Sequence, residues 1–593
     1  MLGISDLTNQ TELGDAMRSS ESLRLGGAFI AVGSLALVLA GTAVVATPYQ
    51  SRPFDVLLVG GRVIDGTGNP WFYADVGLRD GRIVAVGDLD GAEAVRAIDV
   101  TDKVTVPGFI DLHSHANGRN GLRAPDKHRR AAPNMIAQGA TTLVVNQDGR
   151  SDQEGISHQR AELEELGFGP NVALMVGHNT IRGMALGDDY RRIATDAEID
   201  KMRALLVEGL EAGAYGLSAG LEYVPGRWSV PSELHALVRE VAPFGGVYIV
   251  HERAGGADPM WYVPSQHEPG PPSMLDNIIE AIDVAEQSGV PTVATHIKVR
   301  GNDFWGSSGA IISLIERART RGVEIWADQY PYNTSGSDGS TVLIPDWALE
   351  RDRWTAFERD SGARPPDFAS HLRTILQDSE ARKALELDIN REISRRGGPD
   401  NIVIFDHPDE ELVGLSLNAV ARLKHVSPLQ AAILLQLEGF SDRAGGGRMR
   451  GFSMSEIDVE ALAAQPWTAT ASDAGIALPG DGPVHARYYG TFPRKIRHYA
   501  IDRGILSIES AVRAATSLPA QILRLQDRGI VREGFHADLA VLDLKALRDT
   551  ADFVDPYQAP EGVDYVFVNG EMAVDDGHLT NVLAGVILTP RRR

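Results

Sequence analysis

The sequence predicts an α/β fold, a (β/α)8 barrel of the TIM type accompanied by a small β-sandwich domain built from both chain ends. Three observations carry this. Short apolar, β-rich runs recur eight times through the centre of the chain, helix-like stretches lie between them, and polar residues able to bind a cation or carry a proton follow nearly every run. At 593 residues, 43% hydrophobic and 23% charged, the chain is globular and longer than one ordinary core organises, so accessory parts are expected.

Residues 1–53 read as a leader and linker. Leu25–Ala46 is apolar without a charge and follows Arg18 and Arg24, which fits an export signal or a single membrane anchor; the protein is then exported, periplasmic or membrane-anchored. Residues 54–106 hold short β-rich runs separated by Gly60-Gly61, Gly66-Thr67-Gly68 and Asp80-Gly81 turns, which are hairpin signals. Matching runs at Asp538–Asp543 and Asp564–Gly570 assign residues 526–585 to the other half of the same sandwich, with 586–593 as a tail.

Residues 107–525 form the barrel. Its predicted strands are Thr105–Leu112, Thr141–Asn146, Asn171–Val176, Tyr215–Ala219, Val247–Val250, Pro291–Thr295, Val323–Ala327 and Thr468–Ala471. Between them Asp196–Glu211 is a helix, entered by Thr195 and Glu198 at capping-box spacing, with Met202, Leu205, Leu206 and Leu210 on one face. Ile311, Leu314, Ile315 and Ala318 mark another. The stretch from about 345 to 455 interrupts the alternation before the last strand and reads as an insertion over the barrel mouth, a lid. A doubly wound sheet would accept many of the same runs.

Composition narrows the function. With 80 acidic against 57 basic residues the formal charge is −23, which argues against a nucleic-acid partner. The absence of cysteine excludes disulfides, thiolate metal ligands and a cysteine nucleophile.

The ends of the runs are where the chemistry gathers. Strand one ends in His113 and His115, which share a face because residues two apart in a strand point the same way. Asp148 follows strand two, His178 strand three, His251 strand five, His296 and Lys298 strand six, Asp328 and Tyr330 strand seven, and Asp473 strand eight. A lone histidine there would be an ordinary polar residue, but a series is poorly explained by packing because buried charge without partners is costly. Imidazoles and carboxylates without sulfur suit zinc or a similar cation, one or two ions. Such an ion lowers the pKa of water and polarises a carbonyl, as amide hydrolysis requires.

The segments PGFIDLHSHAN, QGATTLVV, NVALMVGHNTIR, GAYGLSAGLEYVPG, ATHIKVRGNDFWG, DQYPY, SDAG, HARYYGTFPR and LPAQILRLQDRGIVREGFHADLAVLD resemble the amidohydrolase superfamily, specifically its N-acyl-D-amino-acid deacylase (D-aminoacylase) branch, over about residues 54–575. The resemblance implies that His251 and His296 hold a tightly bound metal, that His113, His115 and Asp473 serve a second position, and that Asp473 is also the general base and acid. It places His178 near the reacting carbonyl, Lys298, Tyr330 and Arg487 on the substrate carboxylate, and Tyr223 near the carbonyl oxygen. The branch's metal-binding cysteine, in a Gly-Asn-Cys-Gly sequence, is matched here by Asn146-Gln147-Asp148-Gly149, so Asp148 takes the thiolate's place. Ser218-Ala219-Gly220 after strand four offers no lysine to become a carboxylated bridge, which leaves Asp148 as the expected bridge.

The expectation is a metal-dependent hydrolase that cleaves the amide of small N-acyl amino acids, of D configuration, with Asp473 carrying the proton. Two alternatives stand beside it: an amidohydrolase for dipeptides, cyclic amides or xenobiotic amides, and an exported binding protein with a degenerate metal site.

Overall fold

The computed structural model describes residues 53–336, 341–349 and 367–590. The leader with its apolar run, residues 337–340 and 350–366, and Arg591–Arg593 lie outside the described residues. Among the described residues no helix is long and apolar enough to cross a membrane.

The barrel strands are Phe109–Asp111, Ala140–Val145, Asn171–Leu174 continued by Val176–Gly177, Gly216–Gly220, Val247–His251, Thr292–Ala294, Ile325–Gln329 and Thr468–Thr470. Each pairs in parallel with the next. The ring closes where Ser114 bridges Ala474 in parallel and the Asp473 N–H donates to the His113 carbonyl at 2.9 Å. Every residue of these strands is buried, as expected of parallel strands covered on both faces, which read as continuous apolar runs.

The helices between them follow from their caps and apolar stripes. Asp196–Glu211 starts at a capping box in which the Thr195 hydroxyl accepts from the Glu198 N–H, and it buries Met202, Leu206 and Leu210. Met274–Ser288 starts at a second box, Ser273 with Asp276. Ser308–Thr320 buries Ile311, Ile315 and Ala318 against the same core.

The first apolar run is two strands, not one. Val104–Pro107 pairs with Leu539–Leu542 and Arg62–Val63 in a seven-stranded sheet, whereas Phe109–Asp111 enters the barrel. Gly108 is the junction: its N–H donates to the Asp538 carbonyl, and a Cβ there would meet Thr141 Oγ1 at 2.3 Å. Only glycine permits that approach.

The sandwich packs this seven-stranded sheet against a four-stranded one made of Phe54–Val59, Asp75–Arg79, Arg82–Gly87 and Ala94–Asp99. Leu58, Val76 and Ile83 from one sheet meet Val63, Leu539, Val541 and Phe567 from the other. Asp80-Gly81 forms a hairpin turn with φ of 51° and 74°. Gly60-Gly61 does not: it carries the chain from one sheet to the other.

The segment before the last barrel strand has its own core, with Leu372, Leu385, Ile389, Ile402, Leu417 and Leu435 buried together. Its long helix, Ser379–Arg395, meets the segment that follows barrel strand five. Arg391 contacts Asp258 and, at 2.5 Å, Asp303; Arg395 donates to the Pro259 carbonyl at 2.8 Å. Residues 585–588 are not a free tail, because Gly585 and Leu588 N–H groups donate to Phe168 and Val172 carbonyls beside barrel strand three.

Candidate metal centre

Asp148, His296 and Asp473 follow buried strands and have φ of 56°, 38° and 49°. Non-glycine residues rarely adopt this left-handed region, and such strain collects where side-chain direction matters more than backbone comfort. Buried carboxylates beneath the rim hold two of these turns, those at Asp473 and His296. Asp111 accepts from the Ser472 N–H at 2.8 Å and its hydroxyl at 2.5 Å, which ties strand one to strand eight. Asp328 accepts from the His296 N–H at 2.5 Å and from Thr295 Oγ1 at 2.7 Å, and Thr295 Oγ1 lies 2.6 Å from His113 Nδ1. Burial, opposed by the Ser472 hydrogen bonds, raises Asp111 to about 7; burial likewise raises Asp328 to about 8.

Two donor sets converge at the mouth. His113, His115, Asp148 and Asp473 each offer one ligand atom with all of them within 4.8 Å of one another, and Asp148, His251 and His296 do the same. Asp148 belongs to both. Its Oδ1 lies 3.1 Å from His251 Nδ1 and 3.6 Å from both His113 Nε2 and His296 Nε2, while Oδ2 lies 3.5 Å from His115 Nε2. His113 Nε2 is 3.2 Å from His115 Nε2, and His296 Nε2 is 2.8 Å from His251 Nδ1.

These groups fit divalent metal. Four imidazoles and two carboxylates bring ligand atoms together in two overlapping sets, and no thiolate or ammonium lies among these donors. Burial drives His113 well below its ordinary pKa, and burial with Lys298 pushes His296 down to about 4, so both present the neutral imidazole that ligation requires. Burial opposes ionisation of Asp148 and Asp473, yet the neighbouring histidines hold Asp148, and chiefly Arg487 holds Asp473, well below the usual carboxylate range.

Around the donors stand four of the other expected residues. Arg487 pairs with Asp473 Oδ2 at 2.8 Å and lies over the Tyr330 ring at 4.6 Å. Lys298 Nζ is 2.7 Å from His296 Nδ1 and 6.0 Å from the Tyr330 ring centroid. Among the described residues the buried Tyr330 hydroxyl has no hydrogen-bond partner. Tyr223 packs on His251 with ring centroids 4.3 Å apart, and burial raises its hydroxyl well above the ordinary range.

His178 does not join this group. It opens the helix His178–Leu186 fully buried, and its Nε2 lies 2.8 Å from Glu233, which also accepts from Arg182 at 3.0 Å. The structure thus gives His178 a buried contact with Glu233 between two helices, outside both donor sets. Its neighbour Asn179 instead braces the rim, donating to and accepting from Gly220.

Sequence reasoning missed Glu222, two residues past strand four. Its carboxylate lies 3.1 Å from His251 Nε2 and 3.1 Å from Arg300. The signal was present in GLEY, a glutamate directly after a run of buried strand residues.

The sequence pattern of the amidohydrolase family matches residues 96–242 and 402–574. The D-aminoacylase of Alcaligenes xylosoxydans xylosoxydans is 32% identical over 561 residues, covering 91% of this chain and 98% of that protein. The same organism's N-acyl-D-glutamate deacylase is 29% identical over 545 residues, 88% of this chain and 94% of that protein. Among solved structures, the N-acyl-D-glutamate deacylase of Bordetella bronchiseptica, complexed with zinc and a phosphonate mimic of the tetrahedral intermediate, superposes with a TM-score of 0.67 at 27% identity, covering 91% of this chain and all of that one. A D-aminoacylase described with a binuclear metal centre gives 0.67 at 30% identity and the same coverage. A D-hydantoinase, at 15% identity and 0.51, shares the fold. The strand-end donors, the barrel and these similarities agree: the chain belongs to the amidohydrolase family, within the branch of the D-aminoacylases.

Proposed function

We propose that the protein is a zinc-dependent hydrolase that cleaves the amide bond of N-acyl-D-amino acids, releasing a carboxylic acid and the free D-amino acid. One observation carries the reading: Asp473 joins the metal-donor set through one oxygen and Arg487 through the other. A proton carrier and a carboxylate-binding cation thus sit side by side at the metal-donor set. When bound, the metal supplies Lewis acidity, activating water and polarising the acyl carbonyl.

The chain's own residues do the rest. Arg487, Lys298 and the unpartnered Tyr330 hydroxyl receive the substrate carboxylate, for which a planar guanidinium is suited. The carboxylate binds close to Asp473 and so aligns the scissile amide with it. Asp473, held ionised, accepts the proton of the attacking water at its carboxylate oxygen and returns it to the leaving nitrogen. The Tyr223 hydroxyl, kept protonated by burial, donates to the carbonyl oxygen as charge develops there. Asp148, which belongs to both donor sets, would supply a carboxylate ligand to each when metal is bound.

Support for D configuration comes from the named relatives, a D-aminoacylase and deacylases of N-acyl-D-glutamate and N-acyl-D-aspartate. Amine release from a panel of N-acyl-D- and N-acyl-L-amino acids by the zinc-loaded protein tests the reading. No turnover of any D substrate would end it. We further propose export, either into the periplasm or with anchoring through the uncharged run Leu25–Ala46; recovery of the full chain in the soluble cytoplasmic fraction would refute that.

A further inference from the structure

We infer that Glu222 is a positioning residue for the metal centre, fixing which nitrogen His251 offers to the ion. The inference rests on the metal reading above and concerns a residue outside both donor sets.

Each imidazole in the cluster must present one nitrogen bare, so something must hold the hydrogen on the other. For His113, Nδ1 meets the Thr295 hydroxyl, itself held by Asp328. His251 faces the cluster through Nδ1, which lies 3.1 Å from Asp148 Oδ1 and 2.8 Å from His296 Nε2. Its Nε2 points away, to Glu222 Oε2 at 3.1 Å. A carboxylate accepts and never donates when ionised; both nitrogens face one, Asp148 at Nδ1 and Glu222 at Nε2, but only Asp148 belongs to the donor sets, so a metal held there would take the place of the Nδ1 hydrogen while Glu222 keeps the one on Nε2.

Glu222 is held to this task from its other side. Oε1 accepts from Arg300 at 3.1 Å and from the Met260 N–H, and Arg300 also donates to the Asp258 carbonyl at 3.2 Å. The glutamate is buried. Tyr223, the next residue, packs against the same imidazole with the rings tilted by 55°, so consecutive residues hold His251. A carboxylate behind a ligating imidazole also makes the ring a stronger donor, and loss of such a partner typically weakens metal binding about 10–100-fold.

Glu222→Ala and Glu222→Gln in the full chain test this, with zinc affinity read by competition against a chromophoric chelator. Visible absorption of the cobalt-substituted protein and melting of the metal-free protein are read in parallel. The expected result is a fall in affinity of about 10–100-fold for the alanine variant and a smaller fall for glutamine. The glutamine amide keeps the shape and one acceptor without the charge. The cobalt bands shift while the metal-free melting temperature of the glutamine variant stays at the wild-type value. Wild-type affinity and cobalt bands in both variants would overturn the inference, as would a lower metal-free melting temperature with affinity unchanged. Should the alanine variant not fold, the glutamine variant decides on the same two criteria. Because the readout is metal binding, failure here is distinguishable from failure of the proposed substrate, which is read by turnover.

Discussion

Arg487 and Asp473 form a buried ion pair of 2.8 Å, and the second oxygen of the same carboxylate lies 3.1 Å from His115 Nε2. One aspartate therefore faces substrate and metal at once. Asp473→Asn keeps the shape and removes the base, so kcat is expected to fall by about 10²–10⁴. Circular dichroism should show an unchanged fold, and steady-state kinetics on the best N-acyl-D-amino acid measure the loss.

Arg487→Ala should act through the substrate carboxylate. A loss of about 2–5 kcal/mol, the usual effect of truncating one member of a buried charge pair, corresponds to a fall in kcat/KM of at least 30-fold. An N-acyl amine without a carboxylate should lose much less. Arg487→Lys restores charge but not the two-pronged geometry, and recovery to the wild-type value would contradict a bidentate role.

Asp148 contributes to both donor sets, so its removal should disturb both. Elemental analysis of Asp148→Ala is expected to give less zinc than removal of any single histidine, whereas Asp148→Cys, which supplies a thiolate, should retain metal. Equal zinc in Asp148→Ala and wild type would remove the aspartate from the ligand set.

Lys495 offers a stability prediction remote from the donor sets. Its ammonium is buried, donates to the Ala463 carbonyl at 2.7 Å, and burial pushes its pKa from 10.5 down to about 7. Between about pH 7 and 10.5 the unfolded chain holds this proton and the folded protein does not. Stability from this group therefore rises with pH across that window, by up to about 1.4 kcal/mol per unit. Lys495→Met removes the slope. Its melting temperature should exceed wild type at pH 7, and the advantage should shrink as pH rises toward 10; a constant difference would refute the assignment.

Much of the architecture was legible in the sequence because parallel strands buried on both faces leave unbroken apolar runs. The same property hid the boundary at Gly108, since an apolar run does not report which sheet each half joins. Asp148 could be singled out because it follows a strand, and the family resemblance already made it the expected bridge; which atoms it faces could not be read, because that depends on His113 and His251 meeting it from separate strands. The partner of His178 was hidden for the complementary reason. A motif names a residue but not its partner, and Glu233 comes from a helix 55 positions away. Glu222 escaped notice because a glutamate in a turn ordinarily faces water.

The left-handed backbone at Asp148, His296 and Asp473 has a consequence for how this protein can change over time. At each of these positions glycine would adopt the same turn without steric penalty, so the backbone and the chemistry prefer different residues. At Asp473 the chemistry also carries weight in the fold, because glycine there would leave the buried Arg487 guanidinium without its carboxylate. The route by which this site could lose its function is therefore narrower than the backbone alone suggests.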